Sequence, residues 1–131
     1  MRNTVLLQIL RTTRELIKRG FTTGTYCKRA DGTPCGTNCA QANAYDLAGA
    51  LWHACEAQDS DRREALFGDA WLAVKSKLDK PNVKSPEVCR WLDGKSQSWH
   101  LSFLTEFIGD GEQVSAAPRA KRGAADLTEY V

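Results

Sequence analysis

The sequence predicts a mainly α protein, a small single-domain bundle of about five helices with one short β-hairpin after the first. Three observations carry that expectation. Apolar residues recur at helical spacing in separate stretches, each bounded by glycine, proline or capping residues. One segment, residues 22–36, breaks the period with β-branched and aromatic residues and an Asp-Gly turn. A chain of 131 residues with an apolar share of 42% suits one core of ordinary size.

Val5, Leu6, Ile9, Leu10, Thr13, Leu16 and Ile17 form the stripe of a first helix. Asn3 is expected to cap its start, and Gly20 to end it with a positive φ. Thr22 to Cys27 and the Ala30-Asp31-Gly32-Thr33 turn follow as a hairpin, which must pack on the helices because a lone hairpin is marginal in water. A second helix is expected from about Ala40 to Ala57, with Ala44, Leu47, Ala48, Leu51 and Cys55 facing inward and Tyr45 and Trp52 flanking. The third takes its cap from Asp59 or Ser60, buries Leu66, Ala70, Val74 and Leu78, and stops at Asp79-Lys80-Pro81-Asn82. Ser85 as cap, Pro86 at the first position and Glu87 in the first turn open a short fourth helix with Val88, Trp91 and Leu92 buried, ended by Asp93-Gly94. The last begins near Ser98, turns Trp99, Phe103, Leu104, Phe107 and Ile108 inward, and closes at Gly109-Asp110-Gly111. Residues 1–111 are thus read as the helical domain. Residues 112–131, rich in Ala, Gly and charge, are read as a flexible tail.

No apolar run approaches the roughly 20 residues needed to span a bilayer. The opening stretch is interrupted by Gln8 and Arg11 and does not read as a signal peptide, so no membrane partner and a cytoplasmic location are expected. Five cysteines without a leader are expected to stay reduced. Net charge is +2, but it is segregated: residues 1–30 hold seven bases and one acid, Glu15, while residues 31–70 are acidic.

Several of these segments share an order with known proteins: Leu16-Ile17-Lys18-Arg19-Gly20-Phe21-Thr22-Thr23-Gly24, then Ala30-Asp31-Gly32-Thr33-Pro34, then Ala44-Tyr45-Asp46-Leu47-Ala48-Gly49-Ala50-Leu51. Over about residues 7–55 the chain resembles a family of short bacterial and phage proteins of unknown function, which join an amphipathic helix, a glycine turn, an Asp-Gly hairpin and a helix with a Gly-Ala-Leu core. The family usually closes with a Trp-Asn-Asp-like segment, from which Ser98-Trp99-His100 departs. The resemblance implies a fold and a bacterial or phage setting, and no mechanism.

Four sets of residues could carry chemistry. Cys27, Cys35 and Cys39, completed by Cys55 or His53, are thiolate and imidazole donors of the kind zinc takes, though the spacing lacks a C-x2-C knuckle. Buried filler is the plain alternative for a cysteine on an apolar stripe, as Cys55 is. A nucleophilic cysteine paired with His53 or His100 has no local signature. Arg11, Arg14 and Lys18 on one helical face, with Lys28 and Arg29 at the hairpin, could bind phosphates or an acidic protein surface, or simply be solvated. Of four tryptophans, Trp52 and Trp71 flank their stripes and are expected to be the more exposed, as interface anchors.

The expected function is therefore a non-enzymatic, stoichiometric protein-binding accessory protein, such as a phage or mobile-element factor that occupies or inhibits a host protein, for example a defence complex. A zinc-stabilised or basic-faced nucleic-acid binder is the alternative, and a small Cys/His-dependent enzyme the third reading.

Overall fold

The computed structural model describes residues 1–116. Its elements are α1 (Asn3–Arg19), β1 (Cys27–Arg29), β2 (Pro34–Cys35), β3 (Ala42–Tyr45), α2 (Leu47–Gln58), α3 (Arg63–Lys77), α4 (Ser85–Asp93) and α5 (Gln97–Ala116), with a single 3-10 turn at Ser60–Arg62. The architecture is the expected one, mainly α with a small sheet. The sheet has three antiparallel strands in the order β2-β1-β3, one more than the hairpin predicted.

The extra strand comes from the start of the expected second helix. Alanine-rich residues from Ala40 read as helix by propensity, but Ala42–Tyr45 instead pairs with β1 and gives that strand a second neighbour. The helix starts only at Leu47, where the Asp46 carboxylate accepts the Gly49 N–H at 2.7 Å. Gly49 lets this helix start abut β1, since a Cβ there would lie 2.1 Å from the Tyr26 carbonyl oxygen. Gly20 has the same kind of duty. Its φ is −168°, so no left-handed turn ends α1; a Cβ would lie 2.2 Å from the Asn43 carbonyl oxygen of β3.

Tertiary contacts also reassign three expected caps and ends. Asn3 makes no cap for α1; its side-chain amide donates to the Gly111 carbonyl of α5 at 3.0 Å. Ser85 makes no cap for α4; its hydroxyl accepts the Trp71 indole N–H at 2.8 Å. The helix expected to close at Gly109-Asp110-Gly111 runs on to Ala116. Each glycine costs the helix about 1 kcal/mol relative to alanine, but a Cβ at Gly111 would approach Leu7 Cδ2 to 2.6 Å, so this glycine is where α1 lies against α5. The two helices run antiparallel, as the bonds from Asn3 to Gly111, Arg14 to Thr105 and Gln97 to Ile17 show. Residues 112–116 are therefore helix, with Glu112 paired to Arg11 at 2.6 Å, and the rest of the expected tail lies outside the described residues.

The end of α3 follows its sequence signal. Asp79 takes a φ of 65°, the Lys80 N–H returns to the Lys75 carbonyl at 2.8 Å, and the Asp79 N–H to Ser76 at 3.0 Å, a Schellman closure with aspartate in the left-handed position. Leu6, Ile9, Leu10, Ile17, Leu47, Leu51, Val74, Val88, Leu104 and Phe107 form the centre of the core. No helix among the described residues is long and apolar enough to cross a membrane.

Candidate functional site: an aromatic cleft beside a cysteine–histidine cluster

The hairpin is a three-residue turn. The Gly32 N–H reaches the Arg29 carbonyl at 2.9 Å, Gly32 has a φ of 89°, and the Arg29 N–H reaches the Thr33 carbonyl at 2.9 Å. Asp31 fixes the tip by accepting the Thr33 N–H at 2.9 Å and its hydroxyl at 2.7 Å, bonds that hold the carboxyl below its ordinary value. Counting back from this turn puts Cys27 directly opposite Cys35. The chain then turns at Gly36, closed by the Cys39 N–H on the Gly36 carbonyl at 3.1 Å, and this brings Cys39 back to Cys35.

On the other side of β1, α2 presents His53 to Cys27, with Nε2 3.7 Å from Sγ. The ring is half-buried, packs edge-on to Tyr45 with centroids 5.2 Å apart, and hydrogen-bonds the Thr37 backbone. Burial holds its pKa below the ordinary value. The structure thus gathers Cys27, Cys35, Cys39 and His53 in one neighbourhood. It places Cys55, one helical step away, in the core with no exposure. As the side chains stand, no group of three or more His, Cys, Asp or Glu among the described residues is placed to hold a metal ion.

The thiols differ sharply. Burial pushes Cys27 up to about 12, with Cys35, Asp46 and Cys39 adding to it. Burial alone pushes Cys55 up to about 12. Cys39 moves the other way, because the Cys35 thiol and the Gln41 backbone N–H both hydrogen-bond its sulfur, with Arg29 adding a smaller pull. Cys35 is raised by burial and by its bond to Cys39.

Next to this cluster lies a cleft of about 330 Å³, lined by Tyr26, Trp52, Phe67, Trp71, Thr37 and Cys89, with Ala48 and Ser85. Phe67 stacks on Trp71 at 6.1 Å with planes 6° apart, and meets Trp52 edge-on at 5.5 Å. The Trp52 indole N–H donates to Asn38 Oδ1 at 2.9 Å, so the turn between Cys35 and Cys39 holds one wall. Tyr26, at 49% exposed, forms the open edge. Sequence reasoning missed Tyr26 and Phe67, whose alternation and helical phase carry no mark of a cleft. A larger hollow, about 700 Å³, lies at Met1, Arg2, Val5, Arg62, Leu66 and Asp69, but it has no aromatic lining.

The predicted binding residues fall in different places. Trp71 is buried rather than exposed at 8%, because its ring closes the floor of the cleft and its N–H is spent on Ser85; Trp52 is half-buried. Trp91, expected in the core, is the exposed one at 38%, flanked by the ammonium groups of Lys80 at 4.7 Å and Lys95 at 4.5 Å. Of the basic set, Arg11 and Arg14 face α5 through Glu112 and Thr105, and Lys18 is exposed. Arg29 bonds the Pro34 carbonyl of its own hairpin at 3.1 Å, with Lys28 beside it on β1. His100 is buried, its Nδ1 2.8 Å from the Ser96 carbonyl and its ring packed on Phe21 and Trp99.

No curated protein and no solved structure matches the chain. The model of one family matches residues 1–100, which takes in everything from α1 through the start of α5, including the hairpin, the cluster and the cleft. The chain belongs to that family, DUF6197, a family of unknown function.

Proposed function

We propose that this protein is a non-catalytic binding protein whose aromatic cleft takes one or two large apolar side chains from a segment of a protein partner. The lining supports this most directly: four aromatic rings surround a cleft of about 330 Å³, and the outermost, Tyr26, is half-exposed. Tyrosine and tryptophan dominate binding energy where they meet a partner, because they bury large area with few rotamers to fix. The volume stands at the low end of the roughly 300–1,000 Å³ range of ligand pockets, a size for side-chain anchors rather than a large cofactor. Thr37 and Ser85 supply polar groups at the rim for a backbone alongside the anchor. Occupation of a host protein by a small bacterial or phage accessory factor is the form of binding this reading favours.

Selection of short peptides from a random display library tests it. Enriched peptides are expected to share one or two large apolar residues and to shift the indole N–H resonances of Trp52 and Trp71. Changing Tyr26→Ser together with Phe67→Ala is expected to weaken their binding at least tenfold. Peptides that bind the double variant as well as the wild type would overturn the proposal.

A further inference from the structure

We infer that Cys27, Cys35, Cys39 and His53 form a zinc site that fastens the Gly36–Cys39 turn to β1 and α2. The inference does not rest on the cleft being a binding site. Three separate features of the fold converge on it. Strand register places Cys27 and Cys35 opposite one another. The turn closed on Gly36 returns Cys39 to Cys35. Helix α2 then delivers an imidazole whose Nε2 stands 3.7 Å from Cys27 Sγ, a separation close to the spacing of two ligands on a tetrahedral zinc with Zn–S of about 2.3 Å and Zn–N of about 2.0 Å.

The set has the composition of a structural zinc site, three thiolates and one histidine, with no position left for water. The histidine also has the support such a ligand needs, since its ring is hydrogen-bonded to the Thr37 backbone and packed against Tyr45. Cys35 and Cys39 are only half-buried and lie at a turn, so rotation of their side chains completes the coordination without moving the strands. Three thiolates on a divalent ion leave one negative charge, and Arg29, whose charge acts on both Cys35 and Cys39, lies beside it. Cys55 has no part: its side chain is fully buried in the core.

The consequence reaches the cleft. Thr37 lines it and Asn38 holds Trp52, and both residues lie between two of the proposed ligands. Zinc would therefore stiffen the wall that the turn otherwise holds through Asn38 and Thr37.

The test is a titration of the reduced, metal-free full chain with cobalt(II), under anaerobic conditions. One equivalent is expected to give thiolate-to-cobalt charge-transfer absorption and the intense visible bands of tetrahedral cobalt, and zinc should then displace it. Cys35→Ser and Cys39→Ser should each lose most of the charge-transfer intensity, while Cys89→Ser keeps all of it. Because a variant can fail to fold, the wild type carries a second readout: on adding zinc, the 13Cβ resonances of Cys27, Cys35 and Cys39 should move and those of Cys55 and Cys89 should not. Weak, octahedral-type cobalt absorption from folded protein, unmoved cysteine resonances, or a full spectrum from the Cys35→Ser/Cys39→Ser double variant would each overturn the site.

Discussion

The Trp52 indole N–H donates to the Asn38 side-chain carbonyl at 2.9 Å, tying α2 to the turn that carries Cys39. Among the described residues it is the only side-chain hydrogen bond of Trp52, whose ring is otherwise held by packing on Phe67 and by Arg63 over its face at 5.7 Å. Asn38→Ala is expected to cost about 0.5–1.5 kcal/mol, the ordinary net worth of one such bond, and to red-shift tryptophan emission as the cleft wall loosens. Urea denaturation followed by fluorescence measures both; an unchanged spectrum with unchanged stability would show that packing alone places Trp52.

The close approaches at Gly20 and Gly49 lead to an asymmetry among glycines. Ala at either site drives a Cβ to about 2 Å from a backbone carbonyl oxygen, that of Asn43 in β3 or of Tyr26 just before β1, which no rotamer can relieve. Gly49→Ala and Gly20→Ala are each expected to destabilise by about 1–3 kcal/mol or more. Gly68, on α3, is exposed with nothing near its missing side chain. Gly68→Ala should stabilise by about 0.5–1 kcal/mol, through helix propensity. Thermal melts of the three variants should split in this order.

Asp46 makes stability depend on pH. Burial raises its pKa from 3.8 to about 7, against the pull of the Gly49 N–H and with help from Asp93. Between pH 4 and 7 the folded chain thus holds a proton that the unfolded chain has lost, so this residue's contribution falls as pH rises through that window. His53 and His100, both lowered by burial, act in the opposite sense: their contribution is present above 6.5 and is lost as pH falls. Comparison with Asp46→Asn isolates the carboxyl, because asparagine keeps the helix cap. The variant is expected to gain about 1–3 kcal/mol relative to wild type at pH 8 compared with pH 4. Equal pH dependence of the two in urea unfolding would show that Asp46 stays ionised throughout.

The five thiols of the metal-free protein should not alkylate together. Cys39 is half-exposed with its thiolate favoured, whereas Cys27 and Cys55 are buried and raised to about 12. Limited iodoacetamide treatment at pH 7.5 to 8, followed by peptide mass spectrometry, is expected to label Cys39 first and Cys55 last, because the thiolate is the reacting form. Prior labelling of Cys55 would mean that the core opens more readily than the turn.

Where residue pattern and local chemistry agree, the sequence is a reliable guide. The stripe of α1, the Asp-Gly hairpin and the stop at Asp79 all follow from residues within a few positions of one another. The site was legible only in part: the sequence offered Cys55, with His53 as the alternative, for the fourth donor, and only the packing of α2 turns Cys55 into the core and His53 toward Cys27. Trp91 and Trp71 exchanged places for a similar reason, since neighbouring helices decide which face of a short helix is covered.

Amino-acid order by itself therefore determined the helices, the hairpin and the stock of donors and aromatics, because periodicity and turn chemistry are local. Tertiary structure alone decided that Ala42–Tyr45 is a strand, that α5 runs through Gly111, and that Asn3 and Ser85 bond to distant partners rather than cap their helices. In each case a contact with residues far along the chain outweighs a local preference of about 1 kcal/mol. The cleft and the cysteine–histidine cluster belong to that second class: both assemble from the sheet segment and from helices that follow it, and neither exists until the sheet is docked on α2.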